Sequence, residues 1–185
     1  MTHAIKIRDE AFERLVRLKI NGRGMTTARK APIVTLQPNQ LPALGVFIHM
    51  ENETQLDPGR GVTQPRFKDT LTLGLSWAVM AHDEDLIDGT LDIFVQKAKE
   101  KLLCDTRFLE LFEFTESVTR NYVFSKVGES YIAEIRLALT VSFTVTYEPH
   151  APYDLELIDI KTESAAGTTI IEVQIPVEPV PPDED

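Results

Sequence analysis

Residue types that carry out catalysis or bind metals are present in this sequence, but they are not spaced as such sites require. The four histidines, His3, His49, His82 and His150, lie far apart, without the close pairs that zinc ligands show. The segment 82–85 reads His-Asp-Glu-Asp, and acids there are typical of a helix start, where the helix dipole is positive. We therefore expect a capped helix at this point and no metal site.

The candidate nucleophiles also lack the surroundings that catalysis needs. Ser76, Ser117 and Ser142 fall inside strand patterns, not at the strand-to-helix turn of a nucleophile elbow. Cys104 has no histidine close to it in the sequence, and we expect it to pack as a small apolar residue on a helix. The sequence predicts a protein that is not an enzyme and that holds no cofactor.

A glycine-containing loop is the remaining motif with chemical potential. Residues 57–61 read Asp-Pro-Gly-Arg-Gly, but no Gly-Lys-Ser/Thr sequence and no helix follow, so the segment does not match a phosphate-binding loop. It lies in a polar stretch, 51–66, and a loop of that length in a compact domain is usually functional or disordered. We expect Arg60 and Arg66 to make polar contacts from this loop to a partner.

Long alternating stretches must form the framework of the fold. Apolar residues occupy every odd position from Tyr131 to Tyr147 and nearly every odd position from Phe67 to Val79, which is typical of strands with one buried face. Asp69 interrupts the second stretch, where we expect the strand to leave the core. A third strand is predicted over 114–127, joined to the first by a turn at residues 126–130.

Shorter patterns supply the remaining elements. Helices are predicted over residues 5–19 and 83–103, with a short helix near 108–112 capped by Asp105, and strands over residues 33–36 and 44–50. Residues 23–31 are predicted to form a mobile basic loop that includes Arg29 and Lys30. The fold class is α+β, an antiparallel sheet of long strands packed by helices on one face.

The last part of the chain differs in composition. Six prolines and a strand-like run from Thr169 to Val177 occur after residue 148, so residues 149–185 are predicted to form an extended acidic arm beside a domain of residues 1–148. Ile171, Val173 and Ile175 are expected to contact a sheet edge, either the arm's own or a neighbour's. A disordered tail that keeps the protein soluble is an equal alternative.

Charge is distributed unevenly along the chain. The formal net charge is −10, with +5 in residues 1–30 and −9 in residues 148–185, which suggests head-to-tail contact between copies. The overall acidity argues against specific binding of duplex DNA, which needs clustered Lys and Arg. No apolar run has the ~20 residues of a membrane span, and a cytoplasmic location is expected.

Several short motifs resemble a known family. The strand start Leu41-Pro42-Ala43-Leu44, the long polar loop after it and the ending Thr146-Tyr147-Glu148 resemble the tail terminator proteins of long-tailed phages of the lambda type. The agreement in element order covers about residues 5–148, and the arm exceeds the family pattern.

The resemblance implies a structural virion protein at the head-proximal end of the tail. Such subunits assemble in the host cytoplasm as a hexameric ring that caps the tail tube, stops its polymerisation and joins the head. The implied partners are the tail tube protein, a head–tail connector, and DNA that passes through the lumen without specific binding. The alternatives are a neck or connector subunit, or a soluble adaptor that binds partners by strand addition.

Overall fold

The fold consists of one mixed sheet with helices on one face, and a separate hairpin. The computed structural model describes residues 2–33, 37–56, 64–81, 85–127, 130–148, 157–163 and 169–176. The helices are α1 (His3–Leu15), α2 (Asp85–Leu103) and α3 (Thr106–Leu109), and the strands are β1 (Thr27–Arg29), β2 (Ala43–Gln55), β3 (Arg66–Ala81), β4 (Phe114–Val127), β5 (Ser130–Thr146), β6 (Leu157–Glu163) and β7 (Thr169–Pro176). The chain divides into two units, Met1–Tyr147 and Glu148–Asp185.

The main sheet has the strand order β1-β2-β3-β5-β4. Its long strands are all antiparallel to their neighbours, which confirms the predicted α+β class. The short strand β1 is the exception, because it runs parallel to β2.

Two predictions at the start of the sheet need correction. The segment 23–31, predicted as a mobile loop, contains β1, and Met25 accepts a hydrogen bond at its Sδ from Trp77 Nε1 at 3.0 Å. The strand predicted over 33–36 is not formed at Ile33, and its other residues lie outside the described part of the chain. The loop predicted over 51–66 is also shorter, because β2 continues to Gln55 and the Leu56 amide bonds to the Arg66 carbonyl at 2.9 Å.

Strands β3 and β5 form the centre of the sheet. They pair without a register shift from Arg66–Thr146 to Ala81–Tyr131. Since the pairing matches odd residues with odd residues, the two apolar faces predicted from the sequence coincide. The register shifts lie in the outer strands, between Ile48 and Met50 in β2 and between Thr115 and Ser117 in β4.

The helices cover the odd-numbered face of β3 and β5. The ring of Trp77 stacks on that of Phe94 from α2, with centroids 4.6 Å apart and an interplanar angle of 13°. The buried core includes the residues predicted for it, Leu73, Trp77, Leu91, Phe94, Leu137, Leu139 and Phe143. The predicted core is therefore confirmed.

Helix α1 buries a stripe that is hard to recognise in the sequence. Ala4, Ile7, Ala11 and Leu15 are buried, whereas Ile5 is only half-buried. The spacing of three and four residues is helical, but the two alanines carry too little hydrophobicity to mark the stripe in the sequence.

The short helix α3 contacts α1 through Asp105 and Phe108. Asp105 caps α3 as predicted, accepting hydrogen bonds from the amides of Arg107 and Phe108. Its carboxylate also accepts from Arg14 Nε at 2.8 Å, and the Arg14 guanidinium lies 5.4 Å from the centroid of the Phe108 ring. This one carboxylate thus joins the first helix to the third, and the Arg14 hydrogen bond lowers its pKa.

Cys104 is the clearest error in side-chain placement. It was predicted on the apolar side of a helix, but α2 ends at Leu103 and Cys104 is exposed. The apolar stripe ends two residues earlier, at the buried Leu102.

The arm forms the predicted strand, and this strand pairs with a second strand of the same arm. Strands β6 and β7 pair antiparallel, with Ile158 opposite Ile175, Ile160 opposite Val173 and Thr162 opposite Ile171. The three pairs thus place β-branched residues of the two strands opposite one another. Of the two sheet edges expected for β7, the arm's own or a neighbour's, the structure shows the arm's own, β6.

We expect Leu139→Ala to lower the free energy of unfolding by about 2–5 kcal/mol, since a buried leucine leaves a cavity. Leu139 is 2% exposed and lies in the centre of β5. Chemical denaturation measures the loss, and Leu56→Ala is the matched control. Because Leu56 is 44% exposed, its truncation should cost less than about 0.5 kcal/mol, and equal losses would contradict this description of the core.

Candidate functional site

The residues predicted to make contacts do not converge on one site. Arg29 ends β1 and is exposed, and the Lys30 ammonium pairs with Asp9 Oδ2 at 3.1 Å. Arg29 pairs with Gly45 of β2, and Gly45 pairs with Ser76 of β3. Arg66 begins β3, ten residues before Ser76. At ~3.3 Å per residue this separates Arg66 from Arg29 by roughly 33 Å along the sheet.

The remaining predicted contact residues lie elsewhere or beyond description. Arg60 lies outside the described residues. Ile171, Val173 and Ile175 occupy alternate positions of β7 and therefore share one face of the hairpin.

The most unusual chemistry in the described chain lies at the distal end of β2 and β3. Before the register shift in β2, Leu44 and Ile48 pair with odd residues of β3; after it, Glu51 and Glu53 do so. The shift therefore places Glu51 and Glu53 on the same sheet face as the core. There they lie opposite Leu71 and Asp69 respectively.

Asp69 is buried at this point, contrary to expectation. The sequence predicted that the strand leaves the core here, but Asp69 is only 2% exposed. Within the part of the chain that the structure describes, its Oδ1 is the one buried side-chain oxygen or nitrogen without a hydrogen-bond partner. A buried carboxylate in this state is costly, so the group favours its neutral form.

The neighbours of Asp69 add to this preference. Burial, then hydrogen bonding to Glu51, then the negative charges of Glu51 and Glu53 raise the pKa of Asp69 to about 7. When protonated, Asp69 donates to Glu51 and one negative charge is removed from the cluster. We call Glu51, Glu53 and Asp69 the carboxyl cluster.

Tyr147 closes one side of the carboxyl cluster. Its hydroxyl donates to Glu53 Oε1 at 2.6 Å, and its ring contacts that of Phe67 with centroids 5.6 Å apart. Hydrogen bonding to Glu53 raises the pKa of the Tyr147 hydroxyl, as do burial and the nearby negative charges. The hydroxyl therefore stays protonated and donates to Glu53.

In the carboxyl cluster, the protonation of Asp69 depends on its burial and on the two glutamates. No group of three or more His, Cys, Asp or Glu side chains among the described residues is arranged to hold a metal ion. What the arrangement can do is lose a proton from Asp69 near neutral pH, which places three negative charges at the end of the β2–β3 pair.

The open face of the sheet carries a second feature, a depression of about 390 Å³. The Phe47 ring covers Gly74 so closely that a Cβ at residue 74 would lie 2.4 Å from it. At its edge, Arg136 donates to both carboxylate oxygens of Glu134, at 2.9 and 2.8 Å. This pairing joins the two charges to each other, and the lining also includes His49 and Arg120.

Two of the serines considered for catalysis lie inside strands, as the sequence predicted. Ser76 and Ser142 are buried inside strands, and Ser142 donates to Glu116, which also pairs with Lys68 at 2.8 Å. His3 lies against Phe143 with ring centroids 4.5 Å apart, away from His49 on β2. His82 and His150 lie outside the described residues.

One signal for the carboxyl cluster is visible in the sequence. Asp69 is the only charged residue on an otherwise apolar strand face. What the sequence could not show is the register shift in β2, which brings Glu51 and Glu53 to the same face.

Comparison of the sequence with known proteins identifies no family. A scan against models of protein families and a search of curated proteins each found no match to the chain. Among the described residues, no helix is long and apolar enough to cross a membrane.

We expect the stability of the protein to fall as the pH rises from about 4 to about 7. The pKa of Asp69 is about 7 in the folded state and ~3.9 when unfolded, so the native state binds more protons in this window. Asp69→Asn keeps the shape but removes the titration, and should flatten the dependence by more than about 1 kcal/mol.

Chemical denaturation from pH 4 to pH 8 checks this expectation. Glu110→Gln removes one exposed carboxylate outside the carboxyl cluster and is the control, which should retain the wild-type slope. The assignment is wrong if Asp69→Asn and Glu110→Gln show the same pH dependence.

Proposed function

We propose that this protein is a tail terminator subunit of a long-tailed phage, assembling as a hexameric ring at the head-proximal end of the tail. The observation that carries the proposal is the order of elements from α1 to β5. This order, a helix, a strand beginning at Ala43, a long strand, a helix and a final hairpin that runs to Thr146, agrees with the pattern that the sequence motifs resemble. The proposed role is to stop tube polymerisation and to offer the surface that joins the head.

Charge supports the same role. The net charge of −10 suits a ring through which DNA passes, because a basic lumen would bind phosphates and retard the strand. The proposed partners are the tail tube protein, a head–tail connector and further copies of this chain. No catalytic step and no cofactor belong to this proposal.

A soluble adaptor that binds partners by strand addition is the second candidate. The observation that favours it is the long strand β4, which is the last strand of the sheet and is exposed along most of its length. An edge strand of this kind accepts an extended peptide by continuing the ladder. A neck or connector subunit differs from a terminator only in which virion proteins it contacts.

Light scattering over a range of concentrations separates these candidates. A terminator should form hexamers, alone or at high concentration, and should limit tube length when added to polymerising tube protein. A monomer at every concentration that binds one extended peptide and leaves tube length unchanged would favour the adaptor and overturn the terminator.

We expect Arg66→Glu to leave the fold intact but to weaken tube capping, giving longer tubes. Arg66 is exposed at the start of β3 and was predicted from the sequence to contact a partner. We propose that this partner is an acidic surface of the tube, which the reversed charge would repel. Tube length in electron micrographs is the measurement. Arg107→Glu is the control, because Arg107 is exposed on α3, and equal effects of both variants would remove Arg66 from the proposed contact.

The arm is proposed to dock on a neighbouring copy. A two-stranded hairpin is marginally stable by itself in water, and the face that carries Ile171, Val173 and Ile175 gains stability when it is covered. We expect slower amide exchange at residues 170–175 in the assembled ring than in the free subunit. Equal exchange in both states would identify the arm as a tail without a docking role.

A further inference from the structure

The main sheet ends in two long edges that differ in character. Strand β4 forms one edge over residues 114–127, and the distal half of β2 forms the other, because β1 pairs only with Ala43–Gly45. Within the described residues no strand pairs with the outer side of either edge. Exposed edges of this length are templates for pairing with another chain.

The backbone of distal β2 presents hydrogen-bonding groups outward. The Leu56 amide bonds to the Arg66 carbonyl, and the pairing between Met50 and Gln55 has no register shift. Because bonded and non-bonded pairs alternate in an antiparallel ladder, the amides and carbonyls of Glu51, Glu53 and Gln55 point away from β3. They are available to a further strand.

Exposed apolar side chains are concentrated on the same two edges. Met50 and Leu56 are 55% and 44% exposed at the β2 edge, and Phe114 and Phe124 are 62% and 52% exposed on β4. These are four of the seven large apolar side chains that are exposed among the described residues. The edges therefore combine free backbone groups with apolar surface, as assembly contacts do.

The charges on the two edges are opposite. Residues 43–56 contain two glutamates, Glu51 and Glu53, and no Lys or Arg. On β4 the sequence has one acid, Glu116, against Arg120 and Lys126. Glu116 pairs with Lys68 and Arg120 with Asp92 of α2, so the strand keeps a formal charge opposite to that of β2. A β2 edge paired with a second β2 edge would bring like charges together, which is destabilising.

We propose that the β2 edge of one copy pairs with the β4 edge of the next copy, so that the sheets of neighbouring subunits join head to tail. The proposal rests on the ring assembly argued above and assigns its interface. Two different, complementary edges per subunit make a heterologous contact, and such contacts close into rings when the rotation allows.

Glu53→Pro tests the backbone contact directly. Proline removes the outward amide but leaves the ladder to β3, and it is tolerated on an edge strand in that position. Glu53→Ala is the matched control, because it loses the same side chain, including the contact with Tyr147, but keeps the amide. Light scattering should show a monomer for Glu53→Pro at concentrations where the wild type and Glu53→Ala assemble.

A second variant tests the opposite edge. Phe124→Lys places a charge on exposed β4, the common means by which edges avoid pairing. Ile93→Lys is its control, because Ile93 is 38% exposed on the helix α2 and not on an edge strand. A mixture of Glu53→Pro and Phe124→Lys should form a heterodimer through the two intact edges and nothing larger. Circular dichroism and denaturation verify that each variant is folded.

The outcomes distinguish this interface from the ring itself. Hexamers of folded Glu53→Pro, or equal losses for Glu53→Pro and Glu53→Ala, would overturn edge pairing while leaving the terminator role intact. If Glu53→Pro does not fold, assembly of Phe124→Lys as in the wild type overturns the interface. A wild-type protein that stays monomeric at every concentration and beside polymerising tube protein overturns both proposals.

Discussion

The antiparallel pairing of β3 with β5 is the constraint on which the rest of the main sheet depends. Its register runs unbroken from Arg66–Thr146 to Ala81–Tyr131. A slip by one residue would move every apolar side chain of one strand to the opposite face, so that Trp77 would lose its stacking on Phe94. The helices can cover only one face because this register puts the large apolar residues there.

The same register explains why the distal sheet is chemically different. Helical cover extends over the part of β3 that contains Leu73 and Trp77, while Asp69 continues the buried face toward the end of the strand. The register shift in β2 then adds Glu51 and Glu53 to that face. An apolar residue at 69 would fit the pattern better, so the carboxyl cluster reduces stability at neutral pH, as local departures from consistent patterning often do at functional positions.

Alternation of apolar residues was sufficient to predict the long strands, because one physical cause, a single buried face, acts over many consecutive residues. It located β3, β4 and β5 and the core residues Leu137 and Leu139. It did not locate β1, whose three residues are too few to show a period, nor the buried stripe of α1, which depends on Ala4 and Ala11.

Features that depend on pairing between distant segments could not be read from the sequence. The shift between Ile48 and Met50 is visible only against β3, and without it Glu51 appears to belong to a polar loop. The same is true of β6, whose alternating residues were noted only as part of an extended arm. Its role as the partner of β7 follows from the register that places Ile160 opposite Val173.

Both register shifts lie in the strands that form the sheet edges, and none lies between β3 and β5. Bulges twist an edge and re-aim its side chains. The regular pairing is therefore kept at the centre of the sheet, and the side-chain directions change in the outer strands. A monomer that needed only to avoid aggregation would shorten such edges. This chain instead keeps them long and leaves Met50 and Phe124 exposed, which is the arrangement expected when the edges themselves are contact surfaces.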